Sequence, residues 1–467
     1  MPKTRYPGKK AVTLTAVAVA SVLVLSGCSA GDDSSDDETL TVWTVEDVAD
    51  RVAAQEAIFA EYTKQTGVKV ELVAVAEDQL TTVLTSSAAA GELPDLIGAL
   101  SLNGVNQLAT DDLLDLDAAS AIVDDLGADT FSERALELTS DGDTQLAVPS
   151  DGWAQLLFYR TDLFEAAGLE APTTYDAIAD AAAALDSDDV AGIVASTAPA
   201  DSFTQQTFEH FALANDCQLV DADDTITLDS PECVEAFQFY ADLIKNSSVQ
   251  GNQDADTTRA TYFAGGASMV VWSSFLLDEL AGLRNDALPT CAECAGDPTF
   301  LAANTGVVSA IEGPDGTEPA SFGEIVSWAV LNDASPKAQD LVEYMMGDGY
   351  NDWLAVAPEG KVPTRGGTAD DPTAFSDAWQ ELEAGVDTKA LLSSVYSSDI
   401  LDAVIAAPDG FNRWGIPEGQ GALAAAVGGQ FVVPQAIASM LDSGVSAEDA
   451  AKEAAAQATT IQEDLDF

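Results

Sequence analysis

The chain has 467 residues, and its 79 acidic side chains outnumber its 18 basic ones, which gives a formal net charge of −61 at pH 7. A surface this negative repels nucleic acids and anionic lipid headgroups, so we expect neither as a partner. Hydrophobic residues make up 47% of the chain. A chain of this length and composition can bury two sizeable cores, and we therefore expect two lobes.

The first 27 residues are typical of a bacterial lipoprotein signal peptide. Four basic residues precede an apolar run from Ala11 to Leu25, which is shorter than the roughly 20 residues that a membrane-spanning helix needs. The run ends in Leu25-Ser26-Gly27-Cys28, which resembles the lipobox, the signal at which bacteria attach a lipid to the cysteine. The resemblance implies that Cys28 anchors the protein to the outer side of the cell membrane. An ordinary secreted protein with an incidental cysteine is the alternative.

A polar tether is expected between the anchor and the folded part of the chain. Residues 28–38 contain five acids and no aromatic or branched apolar residue, so the segment is too polar to join a core. Ten extended residues reach about 33 Å. That length is enough to hold a folded body clear of the lipid headgroups.

Strand and helix patterns alternate in the next part of the chain. The β-α-β-α-β order over about 60 residues predicts a parallel sheet covered by helices. Because ligands of such sheets bind at the carboxyl ends of the strands, we expect binding residues in the loops Thr44–Asp47 and Leu100–Asn103. No G-x-G-x-x-G follows the first strand, which gives little support to a dinucleotide site. The predicted strands are 39–44, 68–75 and 95–100, and the predicted helices are 46–66, ending at Gly67, and 77–90.

Residues 144–185 predict a crossing between two parts of the fold. Gln145–Pro149 and Ala154–Tyr159 have the pattern of two extended segments that meet at Ser150-Asp151-Gly152. Thr161 is a candidate N-cap for a short helix that ends at Gly168. Such an arrangement places an Asp-Gly turn and the tryptophan after it beside the crossing.

These residues resemble the extracellular solute-binding proteins of ABC importers, the large family that includes the maltose-binding protein. In that family a Pro-containing strand is followed by Tyr-Asn-Lys and by a "dLFekaGl…P.Tw.e" pattern. At these places this chain has Tyr159-Arg160-Thr161, then Asp162-Leu163-Phe164 and Ala167-Gly168-Leu169. It departs from the pattern at Arg160 and at Tyr175, where a Trp is common. Further stretches that resemble the family are 261–275, 326–354, 360–367 and 431–457.

The resemblance covers most of residues 39 to 460 and implies an α/β fold of the periplasmic-binding-protein type. Two α/β lobes, joined by hinge strands, would enclose a ligand cleft. We expect residues 39–149 and about 323–360 in the first lobe, and 150–322 and about 361–467 in the second. The family captures a small molecule outside the membrane and delivers it to the permease subunits of an ABC transporter. We therefore expect a monomeric binding protein with no catalytic residue, cofactor or metal.

Candidate ligand-binding residues lie next to the predicted cleft loops. Aromatic rings stack on the apolar face of a sugar ring, and carboxylates and amides form hydrogen bonds with its hydroxyls. Each candidate also has a structural alternative, such as core packing for an aromatic residue or a salt bridge for Arg365. Trp43 and His210, the only histidine, are expected to pack in the core. The candidates are Asp47, Asn103, Asp151, Trp153, Gln205, Gln206, Trp272, Ser274, Phe275, Arg365, Phe411 and Trp414.

Four cysteines remain besides Cys28, and they suit an oxidising compartment. They allow several connectivities, of which local pairing, Cys217 with Cys233 and Cys291 with Cys294, is the simplest. Closing the first loop of about 17 residues stabilises a fold by roughly 3 kcal/mol in the chain-entropy model. The "CAEC" segment is also compatible with a redox motif or half a zinc site, but zinc needs further ligands. We favour structural disulfides.

The charge pattern favours a neutral mono- or oligosaccharide as cargo. No cluster of Arg or Lys lies near the predicted loops, although a phosphate or polycarboxylate would require one, or a Gly-rich nest of amides. A non-sugar cargo such as a peptide, a metal chelate or glycerol phosphate remains an alternative. A surface-anchored glycoside hydrolase, which would use paired carboxylates, is a further one. Against an enzyme, the mature sequence from Cys28 onward contains neither G-x-S-x-G nor H-E-x-x-H.

Overall fold

The computed structural model describes residues 39–76 and 79–465, which belong to one compact unit, Glu38–Phe467. The signal peptide, Cys28 and the tether lie outside the described residues, so they stay predictions. The described chain is mixed α/β. Its strands are β1 Thr39–Thr44, β2 Lys69–Ala74, β3 Leu96–Ser101, β4 Ser140–Asp141, β5 Thr144–Gln145, β6 Val148–Arg160, β7 Met269–Ser273, β8 Thr305–Val308, β9 Ser321–Val330, β10 Val362–Pro363, β11 Glu383–Ala384, β12 Ala390–Leu391 and β13 Phe411–Asn412.

Helices surround these strands. They are α1 Ala49–Thr66, α2 Leu80–Ala90, α3 Leu102–Thr110, α4 Leu116–Leu126, α5 Glu133–Leu138, α6 Thr161–Ala167, α7 Tyr175–Leu185, α8 Ser202–Ala214, α9 Pro231–Ser247, α10 Ala255–Phe263, α11 Leu276–Leu280, α12 Phe300–Ala303, α13 Lys337–Met345, α14 Tyr350–Leu354, α15 Ala374–Gln380, α16 Leu392–Val395, α17 Ser398–Ile405, α18 Gly421–Gly429, α19 Val432–Ser443 and α20 Ala447–Leu465. Among the described residues no single helix is long and apolar enough to cross a membrane, and only the bent pair α18 and α19, taken together, meets that criterion.

The predicted β-α-β-α-β unit is confirmed. β1 pairs in parallel with both β2 and β3, and α1 and α2 end at Gly67 and Gly91 in the left-handed conformation that glycine adopts without strain. β3 is buried along nearly its whole length, as expected for a strand covered on both faces. Its pairing with β9 is irregular between Ile97 and Leu100. Such bulges re-aim side chains at the end of a strand.

One long strand replaces the two predicted extended segments of the crossing. The first half of β6 pairs antiparallel with β9 and β10, and its second half pairs with β7 and β8. A register shift between Pro149 and Asp151 accommodates the proline, which has no N–H for the ladder. Thr161 is the first helical residue of α6 rather than its cap, because Arg160 occupies the N-cap position without a side-chain cap bond. The proposed lobe boundaries stay a prediction.

Aromatic residues fill two large hydrophobic cores. In one, Trp328 contacts Phe59 and Trp353. A Cβ at Gly98 would lie 2.3 Å from the Trp328 ring, so that only glycine lets β3 pass this close. The other core includes Phe208, which packs against Phe237, Tyr240 and Trp414.

The four cysteines form two disulfides, Cys217–Cys233 and Cys291–Cys294. This is the local pairing that the sequence indicates as simplest. The first disulfide connects the loop after α8 to the start of α9. Both pairs are buried, so they act as part of the packed interior in this structure.

Candidate functional site: a cleft at the strand ends

Two adjoining cavities form a cleft at the carboxyl ends of β1 and β3. We call the larger, of about 430 Å³, the main cavity and the smaller, of about 300 Å³, the side cavity. Asn103, Gln206 and Arg413 line both, so the two cavities lie side by side. The main cavity is also lined by Val45, Glu46, Asp47, Val48, Arg51, Ala99, Ser101, Trp153, Phe275, Glu324, Val326 and Gly360. The side cavity is also lined by Ser202, Gln205, Glu209, Phe322, Trp414, Ala424, Ala425, Gly428, Gly429 and Phe431.

Arg413 lies between two carboxylates where the cavities meet. Its guanidinium donates to Glu324, and its Nε lies 3.6 Å from Glu209 Oε1. Glu324 also accepts a hydrogen bond from the N–H of Leu102 at 2.7 Å, and Glu209 accepts one from the N–H of Trp414 at 2.9 Å. Burial raises the pKa of Glu209, and the nearby Arg413 opposes that rise. The arginine charge is thus neutralised by the protein itself.

A second ion cluster forms part of the wall of the main cavity. Glu46 pairs with Arg51 at 2.8 Å and with Lys361 Nζ at 2.9 Å. Burial alone would raise the pKa of Glu46, but Lys361 and Arg51 lower it to about 2. Lys361 is buried and also lies 3.4 Å from Asp151. Four acids and two bases line the cleft, and both bases are paired, so neither is free to neutralise an anionic ligand.

Three half-buried aromatic side chains line the cleft. The Trp153 ring lies 5.8 Å from that of Phe322, centroid to centroid. The Phe275 ring lies against Gly360, where a Cβ would come within 1.9 Å of it, and the Arg51 guanidinium lies 5.7 Å from its centroid. Phe431 lines the side cavity. Each of these rings keeps part of its surface available to a ligand.

Two amide oxygens in the cleft have no hydrogen-bond partner among the described residues. They are Asn103 Oδ1 and Gln205 Oε1, and both atoms are buried. A buried acceptor without a donor is unfavourable by about 1–3 kcal/mol. A ligand that brings hydroxyl groups into the cleft would supply the missing donors.

Seven of the twelve predicted ligand-binding residues line the cleft. Trp414 does so only marginally, because it is 2% exposed and its indole N–H donates to the Cys217 carbonyl at 2.8 Å. It belongs mainly to the core, which is the structural alternative for an aromatic candidate. The seven are Asp47, Asn103, Trp153, Gln205, Gln206, Phe275 and Trp414.

Asp151 and Arg365 are corrections, because both side chains are buried and engaged elsewhere. Asp151 accepts hydrogen bonds from Trp353 Nε1 at 2.5 Å and from Ser150 Oγ at 2.7 Å. Arg365 donates to the carbonyls of two residues on neighbouring segments and to a threonine hydroxyl. Asp151 connects β6 to α14, and Arg365 connects the segment after β10 to the ends of α4 and α13. Neither side chain lines the cleft.

Trp272, Ser274 and Phe411 also lie away from the cavity walls. The Trp272 indole N–H donates to the Ala255 carbonyl at 3.0 Å. Ser274 is fully buried, and its N–H donates to the Ala154 carbonyl of β6 at 2.8 Å. The Phe411 ring is fully buried over Gly323, where a Cβ would come within 2.1 Å of it. These three side chains lie in the interior because they pack against the sheet, although their positions in the sequence are next to predicted cleft loops.

Trp43 and His210 pack in the interior, as predicted. Trp43 is buried, and His210 Nδ1 accepts a hydrogen bond from the N–H of Phe322 at 3.2 Å. Burial lowers the pKa of His210 to about 3, so the ring stays neutral. In the part of the chain that the structure describes, no group of three or more His, Cys, Asp or Glu side chains could hold a metal ion.

Sequence reasoning missed several residues that build the cleft. Glu324 had a signal, since it is the only charged residue of the buried strand β9. Arg413 lies between the two aromatic candidates Phe411 and Trp414 in the sequence. The prediction therefore identifies the loop that reaches the cleft, but not the side chain in it that lines both cavities. Phe431 had no such signal, because its role depends on the local backbone conformation.

The fold agrees with the comparisons to known proteins. A model of the bacterial extracellular solute-binding protein family matches residues 47–352, so the chain belongs to this family. Its members are binding proteins of transporters rather than enzymes. The resemblance seen in the sequence is thereby confirmed, and so is the two-lobed α/β fold class.

Particular relatives share the sequence or the fold over most of their length. YcjN of Escherichia coli (strain K12), whose name places it among ABC transporter periplasmic-binding proteins, is 26% identical over 74% of this chain and 77% of its own. The cyclic alpha-maltosyl-1,6-maltose binding protein from Arthrobacter globiformis has a TM-score of 0.68 and 20% identity, covering 91% of this chain and 98% of its own. The GacH receptor of Streptomyces glaucescens, solved with acarbose, has a TM-score of 0.66 and 18% identity, covering 92% and 99%.

Proposed function

We propose that this protein is the solute-binding component of an ABC importer and that it captures a neutral mono- or oligosaccharide outside the membrane. It then delivers the sugar to the permease subunits. The family and the name of YcjN support the transporter role. The carbohydrate assignment draws on the names of the two structural relatives, a maltosyl-maltose binding protein and a receptor solved with acarbose.

The carbohydrate assignment rests on one observation: hydrogen-bond acceptors without donors and half-buried aromatic rings line the same cleft. Asn103 Oδ1 and Gln205 Oε1 lack donors, while Trp153 and Phe275 line the same cleft. A sugar supplies both hydroxyl donors and an apolar C–H face. A purely apolar ligand would leave the amide oxygens unsatisfied.

The charges of the cleft favour a neutral cargo over an anionic one. Arg51 and Arg413 already pair with Glu46 and Glu324. An anion would have to break one of these pairs and would then face the remaining acids, including the exposed Asp47. A polyol meets no such penalty, because it accepts and donates without carrying charge.

The N-terminal segment supports attachment to the cell membrane. The basic segment, the apolar run and the Leu25–Cys28 motif follow one another in the order of a lipoprotein signal. In this proposal a lipid on Cys28 holds the protein at the outer surface, and residues 29–38 let the binding body reach the permease. Radiolabelled fatty acid should label the wild-type protein in its host and should not label Cys28→Ser.

The binding proposal is tested by calorimetry and tryptophan fluorescence on residues 29–467 with the disulfides intact. The panel contains neutral mono-, di- and trisaccharides, glycerol phosphate, short peptides and free amino acids, and each mixture is also assayed for turnover. We expect one-to-one binding of a neutral saccharide without turnover. Binding of only a peptide or an anion would remove the carbohydrate assignment and leave the importer role standing. Hydrolysis of any saccharide would contradict the proposal as a whole.

A further inference from the structure

The side cavity has walls of its own, separate from the strand ends that form the main cavity. Gln205 and Gln206 of α8 line one side, and Ala424, Ala425 and Gly428 of α18 line another. The two helices thus enclose about 300 Å³ beside the main cavity of about 430 Å³. Asn103 and Gln206 line both cavities, so a molecule that reaches from one into the other would contact both side chains.

Phe431 presents an aromatic ring at this cavity from an unusual backbone conformation. Its φ is 55° and its ψ is 36°, the left-handed region that a bulky residue rarely adopts. The turn is held by a hydrogen bond from the Phe431 N–H to the Gly428 carbonyl and by one from the Gln435 N–H to the Phe431 carbonyl, each 3.0 Å. Non-glycine residues in such conformations cluster at binding sites. The turn between α18 and α19 therefore places a half-buried ring beside the cavity.

Polar groups complete the side cavity. Gln205 Oε1 is buried without a hydrogen-bond partner among the described residues. A Cβ on Gly428 would lie 3.4 Å from the Gln205 amide, so glycine leaves the space next to that amide open. Asn103 Oδ1, at the junction of the cavities, also lacks a donor. A ring surface next to unpartnered acceptors offers what one further sugar ring requires.

We propose that the cleft binds an oligosaccharide of at least two rings rather than a monosaccharide or a small polyol. One ring occupies the main cavity against Trp153 and Phe275. The next occupies the side cavity against Phe431 and donates a hydroxyl hydrogen bond to Gln205 Oε1. This inference rests on the proposed function and adds the size of the cargo to it. The two cavities together have the size typical of pockets that enclose a ligand larger than a single ring.

The test compares ligand length with removal of the side-cavity ring. Calorimetry on residues 29–467 uses glucose, maltose and maltotriose, together with the cello-, xylo- and galacto-oligosaccharide series and their monosaccharides. The variants are Phe431→Leu and Gln205→Ala, and Phe300→Leu is the control because Phe300 is half-buried outside the cleft. Residues Glu38–Phe467 form a compact unit with its own cores, so this fragment contains the whole fold.

We expect the di- or trisaccharide of one series to bind more tightly than its monosaccharide. Phe431→Leu should lower the affinity for the longer sugar about tenfold, the effect of one lost aromatic contact, and leave the monosaccharide affinity unchanged. Gln205→Ala should act in the same direction, and Phe300→Leu should change neither affinity.

Equal affinity for every length, or equal losses for short and long sugars in Phe431→Leu, would overturn the side-cavity proposal and leave the carbohydrate function intact. Failure of every saccharide in the panel to bind the wild-type protein would instead overturn the proposed function, and this inference with it.

Discussion

The main cavity and the side cavity share Asn103, Gln206 and Arg413, but the rest of their walls differ in chemistry. The main cavity lies at strand ends and carries Glu46, Asp47, Arg51 and Glu324. The side cavity lies between helices, and apart from Glu209 it is lined by amides, small residues and aromatic rings. Strand ends bring charges together because successive loops converge at one edge of a sheet. From this difference we infer that the main cavity selects a ligand without charge and that the side cavity selects a ligand of more than one sugar ring.

The largest effect is expected at Arg413, the residue that belongs to both cavities. Arg413→Met leaves Glu324 and Glu209 buried without their cation. Removing one partner of a buried ion pair lowers the free energy of unfolding by about 3–5 kcal/mol. Urea unfolding of Arg413→Met should show this loss, whereas Lys452→Met, which removes an exposed pair with Glu448, should change the free energy little. A loss below about 1 kcal/mol at Arg413 would mean that the cluster is not coupled as we describe.

The charged wall of the main cavity can be tested alone through the pH dependence of stability. The pKa of Glu46 falls from 4.5 to about 2 on folding. A lowered pKa stabilises the fold above the unfolded value and loses that contribution as the pH falls from 4.5 towards 2. The full contribution is at most about 3 kcal/mol.

Unfolding of wild type and Glu46→Gln at pH 6 and pH 3 measures this contribution. We expect a difference in the free energy of unfolding that is large at pH 6 and smaller at pH 3. Glu61→Gln is the control, because Glu61 pairs with Lys64 on the exposed side of α1, where an ion pair stabilises a fold little. The same wild-type-minus-variant difference at both pH values would contradict the ion cluster.

The shape of the main cavity depends on the contact between Gly360 and Phe275. Gly360→Ala adds a Cβ within 1.9 Å of the Phe275 ring, so that the ring must move. We expect a loss of about 2 kcal/mol in the free energy of unfolding, typical of overpacking, together with weaker binding of saccharides of every length. Gly296→Ala places its Cβ in ordinary contact, 3.7 Å from the nearest atom, and should leave both quantities unchanged. Wild-type affinity in Gly360→Ala would show that the ring does not shape the site.

A smaller effect is expected from Trp153, the aromatic residue of the main cavity. Trp153→Leu should lower the affinity for a monosaccharide and for a trisaccharide by the same factor, about tenfold. This contrasts with Phe431→Leu, which should affect only the longer sugar. Calorimetry on both variants separates the two cavities. Trp272→Phe is the control, because Trp272 lies off the cavity walls with its N–H bonded to Ala255. An equal loss of affinity in Trp272→Phe would contradict the position of Trp272 outside the cavity walls.

Much of the first part of the fold could be predicted from the sequence, because its determinants are local. Gly67 and Gly91 end the helices where predicted, and the strand-helix alternation fixed the parallel pairing. The loops that carry Asp47 and Asn103 followed from that topology. In this part of the chain, periodicity and helix-stop residues are sufficient to predict the strands, the helices and the loops that reach the cleft.

Whether the remaining candidate side chains line the cleft depends on contacts between segments that are far apart in the sequence. Asp151 looks like a turn residue in the sequence, yet it lies in a continuous strand and meets Lys361, more than two hundred residues later in the chain. Phe431 lines a cavity only because its backbone is left-handed. Neither the partner of a buried charge nor the sign of φ at a phenylalanine is encoded in a short stretch of sequence.

In our proposal the cleft takes a neutral saccharide because Arg51 and Arg413, the cations that line it, are already paired. Calorimetry tests this most directly with the tightest-binding neutral oligosaccharide of the panel and the corresponding uronic acid, in which C6 of one ring is a carboxylate and the ring stays closed. We expect the neutral sugar to bind one-to-one and the acid to bind at least about tenfold more weakly. Equal or tighter binding of the acid would show that a cation of the cleft is free for the ligand, and it would contradict the proposed selection of a neutral saccharide.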